Sequence, residues 1–110
     1  MATPESKVKE KIKALLKKHG AYYTLNVKVG YGNNGDPDFD VCHAGRFAGV
    51  EAKAGKGKAT QLQIVRLKQI RAAGGAAFII NENTLYHLEA WLEDQQSLFR
   101  NGNLAFLGIE

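Results

Sequence analysis

The sequence predicts an α/β fold in a single domain that spans residues 1–110. Three observations support this prediction. The chain has about the length of one ordinary domain, apolar residues repeat at helical spacing in several segments, and runs typical of strands lie between those segments. The composition, 45% hydrophobic and 24% charged, is that of a folded protein and excludes wholesale disorder.

The first part of the chain predicts a helix and then a strand. Apolar residues at helical spacing span residues 5–19, and Gly20 follows as a stop signal. Residues 21–29 are rich in tyrosine and β-branched residues that alternate with polar ones, which is typical of a strand. Residues 30–35 are mostly glycine and asparagine, which favour the positive φ values of a loop.

The rest of the chain predicts a hairpin, a helix, a strand and a last helix. Residues 37–43 and 46–53 are short alternating runs that would complete a three-stranded antiparallel meander. Residues 60–73 predict a second helix. Residues 76–80 are wholly apolar, which is typical of a strand buried on both faces, and a third helix is expected beyond Thr84.

A tight turn at residues 44–45 would fix how the two hairpin strands pair. His43 would then face Arg46, and Asp38 would lie directly opposite Glu51. Opposed residues of an antiparallel pair share a face, with Cβ atoms about 4.5–5.5 Å apart, so that like charges there are destabilising. Something should compensate the repulsion between these two carboxylates.

Lys53 would share the face of Asp38 and Glu51, because it lies two residues beyond Glu51. The opposite face would hold core residues, namely Phe39, Val41, Ala48 and Val50. Converging carboxylates suit a hard cation such as Mg²⁺, which binds oxygen ligands. Two alternatives remain: a surface hairpin with solvated charges, or a bulged turn that slips the register, since Ala44 is poor at positive φ.

Charge and cysteine content narrow the class of protein. The formal net charge of +4 and the pI of about 9.3 favour polyanionic partners. Many proteins that bind no polyanion have a similar charge and pI. A lone Cys42 predicts an intracellular, reduced, cytoplasmic protein. No run approaches the ~20 apolar residues of a membrane span. Residues 55–60 lack the residue order of a phosphate-binding loop, which argues against a nucleotide cofactor.

Three ordered segments resemble the motifs of the virus-type replication-repair nuclease (VRR-NUC) domain, a compact branch of the PD-(D/E)xK nucleases. The segments are Gly35-Asp36-Pro37-Asp38, Glu51-Ala52-Lys53 and Thr60-Gln61-Leu62-Gln63. The resemblance continues through residues 72–75 and the strand after them. It implies a restriction-endonuclease-like core of helix, three-stranded antiparallel meander, helix and further strand, with a C-terminal helix packed outside. It also implies metal-dependent hydrolysis of phosphodiester bonds in DNA.

The resemblance implies roles for individual residues. Asp38 and Glu51 would bind Mg²⁺ or Mn²⁺ together with the backbone carbonyl of Ala52, and Lys53 would be the partner of the attacking water. A bound metal lowers the pKa of water, and a lysine can stabilise the charge of the transition state. Whether one or two metals act stays open.

Glu5 and Gln63 would complete the implied site, but each also has a structural explanation. Glu5 shares a helical stripe with Val8 and Ile12 and would reach the metal through a water molecule. A carboxylate near a helix N-terminus is equally well explained by about 0.3–1 kcal/mol of dipole stabilisation. Gln63 would face the site as a member of the catalytic set, whereas Thr60 and Gln63 also have the spacing of a capping box.

DNA contacts and substrate are inferred less directly. Lys56 and Lys58, and secondarily Lys28 and Arg46, are candidates for phosphate contacts, with plain solvation as the alternative. The resemblance implies a homodimeric, structure-specific endonuclease that acts on branched DNA such as four-way (Holliday) junctions in DNA repair. A phage protein acting in a bacterial host is compatible with it. A nicking or restriction-type enzyme on plain duplex and a non-catalytic DNA-binding module are the alternatives.

Overall fold

The computed structural model describes residues 3–27 and 35–100, without the side chains of residues 95–100. Its elements, in chain order, are α1 (Pro4–Lys18), β1 (Tyr22–Leu25), β2 (Phe39–His43), β3 (Arg46–Ala52), α2 (Gln61–Ala72), β4 (Ala76–Ile80) and α3 (Leu85–Arg100). This mixture of helices around a sheet confirms the predicted α/β class. None of the described helices is long and apolar enough to cross a membrane.

Helix α1 begins and ends where local chemistry dictates. The Thr3 hydroxyl accepts a hydrogen bond from the N–H of Ser6, and Pro4 occupies the first turn, where a missing N–H costs nothing. At the other end Gly20 adopts a φ of 71°, which confirms it as the stop signal. The helix buries one apolar stripe, formed by Val8, Ile12 and Leu16.

The four strands form one sheet in the order β1-β2-β3-β4. β1, β2 and β3 are antiparallel neighbours, and β4 joins β3 in parallel, with α2 as the connection between them. A parallel pair needs such a crossover, because a tight turn can join only antiparallel strands. His43 faces Arg46 as predicted. Ala44 and Gly45 have φ values of 53° and 81°, the geometry of a tight two-residue hairpin turn.

The two faces of the sheet are covered by different helices. Phe39, Val41, Ala48 and Val50 are buried, as predicted, in one cluster with apolar residues of α1 and α3. Helix α2 covers the other face: a Cβ added to Gly49 would lie 2.6 Å from Cδ1 of Ile70. Of the predicted site residues, Glu51 lies on this second face and contacts Gln63 of α2, whereas Asp38 contacts Lys9 of α1.

The apolar run of β4 is not buried on both faces, so that prediction is wrong. β4 is an edge strand of the described sheet, and the side chain of Ile79 is 44% exposed. Ile79 is the register partner of Glu51 and lies on the face that α2 covers only in part. Composition alone could not reveal this, because exposure of an apolar strand depends on which neighbours reach it.

Ala44 offers a test of the hairpin turn. Replacement of Ala44 by Asn should raise the free energy of unfolding by about 0.5–1 kcal/mol, because Asn tolerates positive φ better than Ala. Urea denaturation followed by circular dichroism would measure the change. As a control, Gly45→Ala should lower stability by about 1 kcal/mol, since it places a Cβ at a φ of 81°. Equal stability of Ala44→Asn and the parent would contradict this turn geometry.

Candidate active site

The candidate site lies at the open end of the β2–β3 hairpin, away from its turn. Glu51 is the penultimate residue of β3, and Asp38 directly precedes β2. Phe39 pairs with Val50, so the same register extended by one residue sets Asp38 opposite Glu51. Both side chains are nearly withdrawn from solvent, because the residues are only 5% and 1% exposed.

The backbone of two neighbouring strands holds Asp38 in place. Its Oδ2 accepts a hydrogen bond of 2.9 Å from the N–H of Ala52. Its carbonyl oxygen accepts one of 2.9 Å from the N–H of Asn26, whose side-chain amide also donates to the carbonyl of Pro37 at 2.8 Å. Asn26 was not among the predicted site residues, because its contribution depends on where β1 ends beside β2.

The backbone carbonyl of Ala52 lies near Asp38. The N–H and C=O of one strand residue point to the same side of the strand, so this carbonyl lies on the side of Asp38. Pro37 lies elsewhere, on the face that α2 covers: a Cβ added to Gly49 would lie 2.9 Å from its Cγ. The carbonyl of Ala52 is therefore an oxygen donor beside the carboxylate of Asp38.

Glu51 is contacted by two hydrogen-bond donors. Nζ of Lys53 lies 3.3 Å from its Oε2, and Nε2 of Gln63 donates to the same oxygen at 2.9 Å. A buried carboxylate costs several kcal/mol unless a charge and hydrogen bonds compensate it. The ammonium and the amide supply that compensation, and they bring Lys53 and Gln63 to the predicted site.

Gln63 has both of the roles that the sequence left as alternatives. Its Oε1 accepts a hydrogen bond of 2.8 Å from the N–H of Thr60, and its own N–H donates to the Thr60 hydroxyl at 3.1 Å. These two bonds form the capping box of α2. Because the cap uses the oxygen of the amide, the NH₂ group is directed to Glu51. The cap thus orients the group that contacts the site.

Gly35 explains why a glycine opens the segment before Asp38. Its φ is 75°, and a Cβ at this position would lie 2.7–2.8 Å from atoms of Leu62, including its backbone carbonyl. Only glycine permits both this conformation and this approach. The segment that carries Asp38 therefore packs against the first turn of α2, the same turn that carries Gln63.

Glu5 is joined to the site through Lys9 rather than by direct contact with Asp38. Nζ of Lys9 lies 3.9 Å from Oε2 of Glu5 and 3.5 Å from Oδ1 of Asp38. The side chain of Glu5 is 42% exposed, and it also lies in the first turn of α1, where the helix dipole favours it. Sequence reasoning missed Lys9, although its spacing of four residues from Glu5 was the available signal.

Lys56 and Lys58 lie on the exposed loop that follows β3. The loop is anchored at Gly55, whose N–H donates to both carboxylate oxygens of Glu82, at 2.9 and 3.0 Å. Hydrogen bonds from the N–H groups of Glu82 itself and of Gly55 hold the pKa of this carboxyl below its usual value. The two lysines remain accessible to a polyanion beside the site.

The structure does not bring Arg46 to the site. Arg46 begins β3 at the turn of the hairpin, and its guanidinium lies over the ring of Trp91, 5.3 Å from the ring centroid. Arg46 and Glu51 are five positions apart along the strand, a distance of roughly 17 Å. The fourth predicted phosphate contact, Lys28, lies outside the described residues.

A separate group of ionisable side chains lies where α1 ends against α3. Ligand atoms of His19, Glu89 and Glu93 lie within 4.8 Å of one another. Oε2 of Glu89 is 3.1 Å from Nε2 of His19 and 3.0 Å from Nζ of Lys18. Hydrogen bonds from His19 and Lys18 lower the pKa of the Glu89 carboxyl. These contacts form an ion-pair network between the two helices.

No protein-family model matches the chain, and a search of the curated proteins gives no match either. The chemistry of the donor set is therefore the basis for a functional proposal. Asp38, Glu51 and the carbonyl of Ala52 offer only oxygen atoms, which fit Mg²⁺ or Mn²⁺ better than Zn²⁺, since zinc favours nitrogen and sulfur.

The double role of Gln63 can be tested with Gln63→Glu. A glutamate preserves the capping box but sets a second carboxylate against the buried Glu51. The variant should be less stable than the parent by about 1–3 kcal/mol at neutral pH. Protonation of one of the two carboxylates at lower pH would relieve this repulsion. The deficit should therefore be smaller at about pH 5 than at about pH 7.

Urea denaturation at both pH values measures this deficit. Gln69→Glu is the matched control, because it makes the same substitution at an exposed position of the same helix. The side chain of Gln69 accepts a hydrogen bond from Arg66 and does not contact Glu51. The control should stay within about 0.5 kcal/mol of the parent. A deficit in Gln63→Glu that does not depend on pH would contradict the contact with Glu51.

Proposed function

We propose that this chain is a Mg²⁺- or Mn²⁺-dependent DNA endonuclease with a restriction-endonuclease-like core. One observation carries the proposal: two buried carboxylates, Asp38 and Glu51, lie at the same end of the hairpin, and Lys53 contacts one of them. Burial of like charges opposes folding, so such an arrangement points to a functional requirement. The oxygen donors beside a lysine match the needs of phosphodiester hydrolysis.

Each group would have a distinct task in that reaction. Asp38, Glu51 and the Ala52 carbonyl would hold the cation, which when bound lowers the pKa of water and neutralises phosphate charge. Lys53 would donate a hydrogen bond to the attacking oxygen and stabilise the negative charge that develops on the phosphate. Gln63 would keep the Glu51 carboxylate in one orientation through its 2.9 Å hydrogen bond. Solvent would accept the proton of the attacking water, and another water molecule would protonate the leaving oxygen as its bond to phosphorus breaks.

Charge and resemblance support DNA as the substrate. The net charge of +4 favours a polyanion, and Lys56 and Lys58 are exposed just beyond Lys53. The likeness to the virus-type replication-repair nuclease domain favours branched DNA, such as a four-way junction. A homodimer with two-fold symmetry would present two such sites to the two symmetric strands of a junction.

A cleavage assay tests this function. A labelled four-way junction and a linear duplex of the same sequence are incubated with Mg²⁺, Mn²⁺ or a chelator. Asp38→Ala and Lys53→Ala should each lower the cleavage rate at least about 100-fold, because each removes a group that acts on the reacting phosphate. Glu93→Gln and Lys68→Ala are the charge-matched controls at exposed positions, and both should cleave like the parent.

The substrates separate the proposed activity from its alternatives. Cleavage of the junction in preference to the duplex supports a structure-specific enzyme. Equal cleavage of both substrates supports a nicking or restriction-type enzyme instead. DNA binding that is equal with metal and chelator, without product from either substrate, would overturn the nuclease and support a non-catalytic binding module.

A further inference from the structure

Lys9 brings a second ammonium group to the candidate site. It extends from α1 to Asp38, with Nζ 3.5 Å from Oδ1, and it also lies 3.9 Å from Oε2 of Glu5. Helical spacing of four residues accounts for the contact with Glu5. Helical spacing does not account for the contact with Asp38, because Asp38 lies outside α1, just before β2. The side chain of Asp38 is only 6% exposed.

The two oxygens of Asp38 face different surroundings. Oδ2 accepts the N–H of Ala52, on the side of β3 and Glu51. Oδ1 faces α1, where Lys9 lies between it and the carboxylate of Glu5. A positively charged atom therefore bridges two carboxylates on the outer side of Asp38. In two-metal phosphodiesterase sites, a cation at such a bridge lies about 3.5–4 Å from the first one.

We propose that the ammonium of Lys9 takes the place of a second metal ion, so that the site binds a single divalent cation. This inference rests on the proposed metal-dependent function. The cation would be held by Asp38, Glu51 and the Ala52 carbonyl, while Lys9 supplies a fixed positive charge on the other side of Asp38. A second divalent ion would have to displace this lysine from both carboxylates.

Lys13 provides a matched control on the same helix. Its Nζ lies 3.0 Å from Oε2 of Glu10, so it too forms a helical ion pair. The side chain of Glu10 is 71% exposed, whereas the side chain of Asp38, which Lys9 contacts, is buried. Substitution of Lys13 changes the charge of α1 by the same amount without altering the contact to Asp38.

The test is the number of Mn²⁺ ions bound to the full chain without DNA, measured by the electron paramagnetic resonance signal of free Mn²⁺. The parent, Lys13→Met and Lys9→Arg should each bind one ion. Lys9→Met should bind two, the second at least tenfold more tightly than any additional ion bound by the parent. Adding Glu5→Gln to Lys9→Met should return the count to one, because the second ion would lose its outer carboxylate.

Two results would overturn the role of Lys9 and leave the nuclease proposal intact: a parent that binds two ions with comparable affinity, or a folded Lys9→Met that still binds only one. If Lys9→Met does not fold, Lys9→Gln takes its place, with the same expected count of two. Absence of Mn²⁺ binding by the parent, or binding that Asp38→Asn leaves unchanged, would overturn the metal-dependent function and this inference with it.

Discussion

The register of the β2–β3 hairpin is the constraint on which the rest of the site depends. Side chains alternate between the two faces of a strand, so a slip of one residue would exchange them. A slip of β2 would take Phe39 out of the core and bring Asp38 in, and a slip of β3 would do the same with Val50 and Glu51. The observed register avoids this cost by holding Ala44 at a φ of 53°, a conformation that alanine seldom adopts. Packing of the apolar face outweighs strain in the turn.

Helix α2 gives the carboxylate face its low exposure and part of its polarity. Gly35 and Gly49 have no side chains, which lets the sheet and its entry segment approach this helix closely. The approach places Gln63 over Glu51, where a hydrogen bond of 2.9 Å replaces contact with water. Charge compensation comes from two other elements, with Lys53 at the end of β3 and Lys9 on α1. The expected repulsion between the carboxylates is thus met by lysines from opposite sides.

The features that local patterns determine were predictable from the sequence. The alternation of residues 37–53 defined the hairpin, its pairing and its buried face, because these follow from a two-residue turn. The contributions of Lys9 and Asn26 were not predictable, since they depend on how α1 and the end of β1 lie against Asp38. The exposure of Ile79 required the strand order, which composition does not contain. The sequence presents the two roles of Gln63 as alternatives, whereas the structure combines them in one side chain.

The capping box of α2 also gives the site a dynamic property. Ends of helices fray on fast timescales, and the first turn of α2 is held by the two hydrogen bonds between Thr60 and Gln63. When that turn opens, the amide of Gln63 leaves Glu51 at the same moment, because one side chain makes both contacts. Opening of this one helical turn would therefore leave Oε2 of Glu51 with the contact from Lys53 but without that from Gln63.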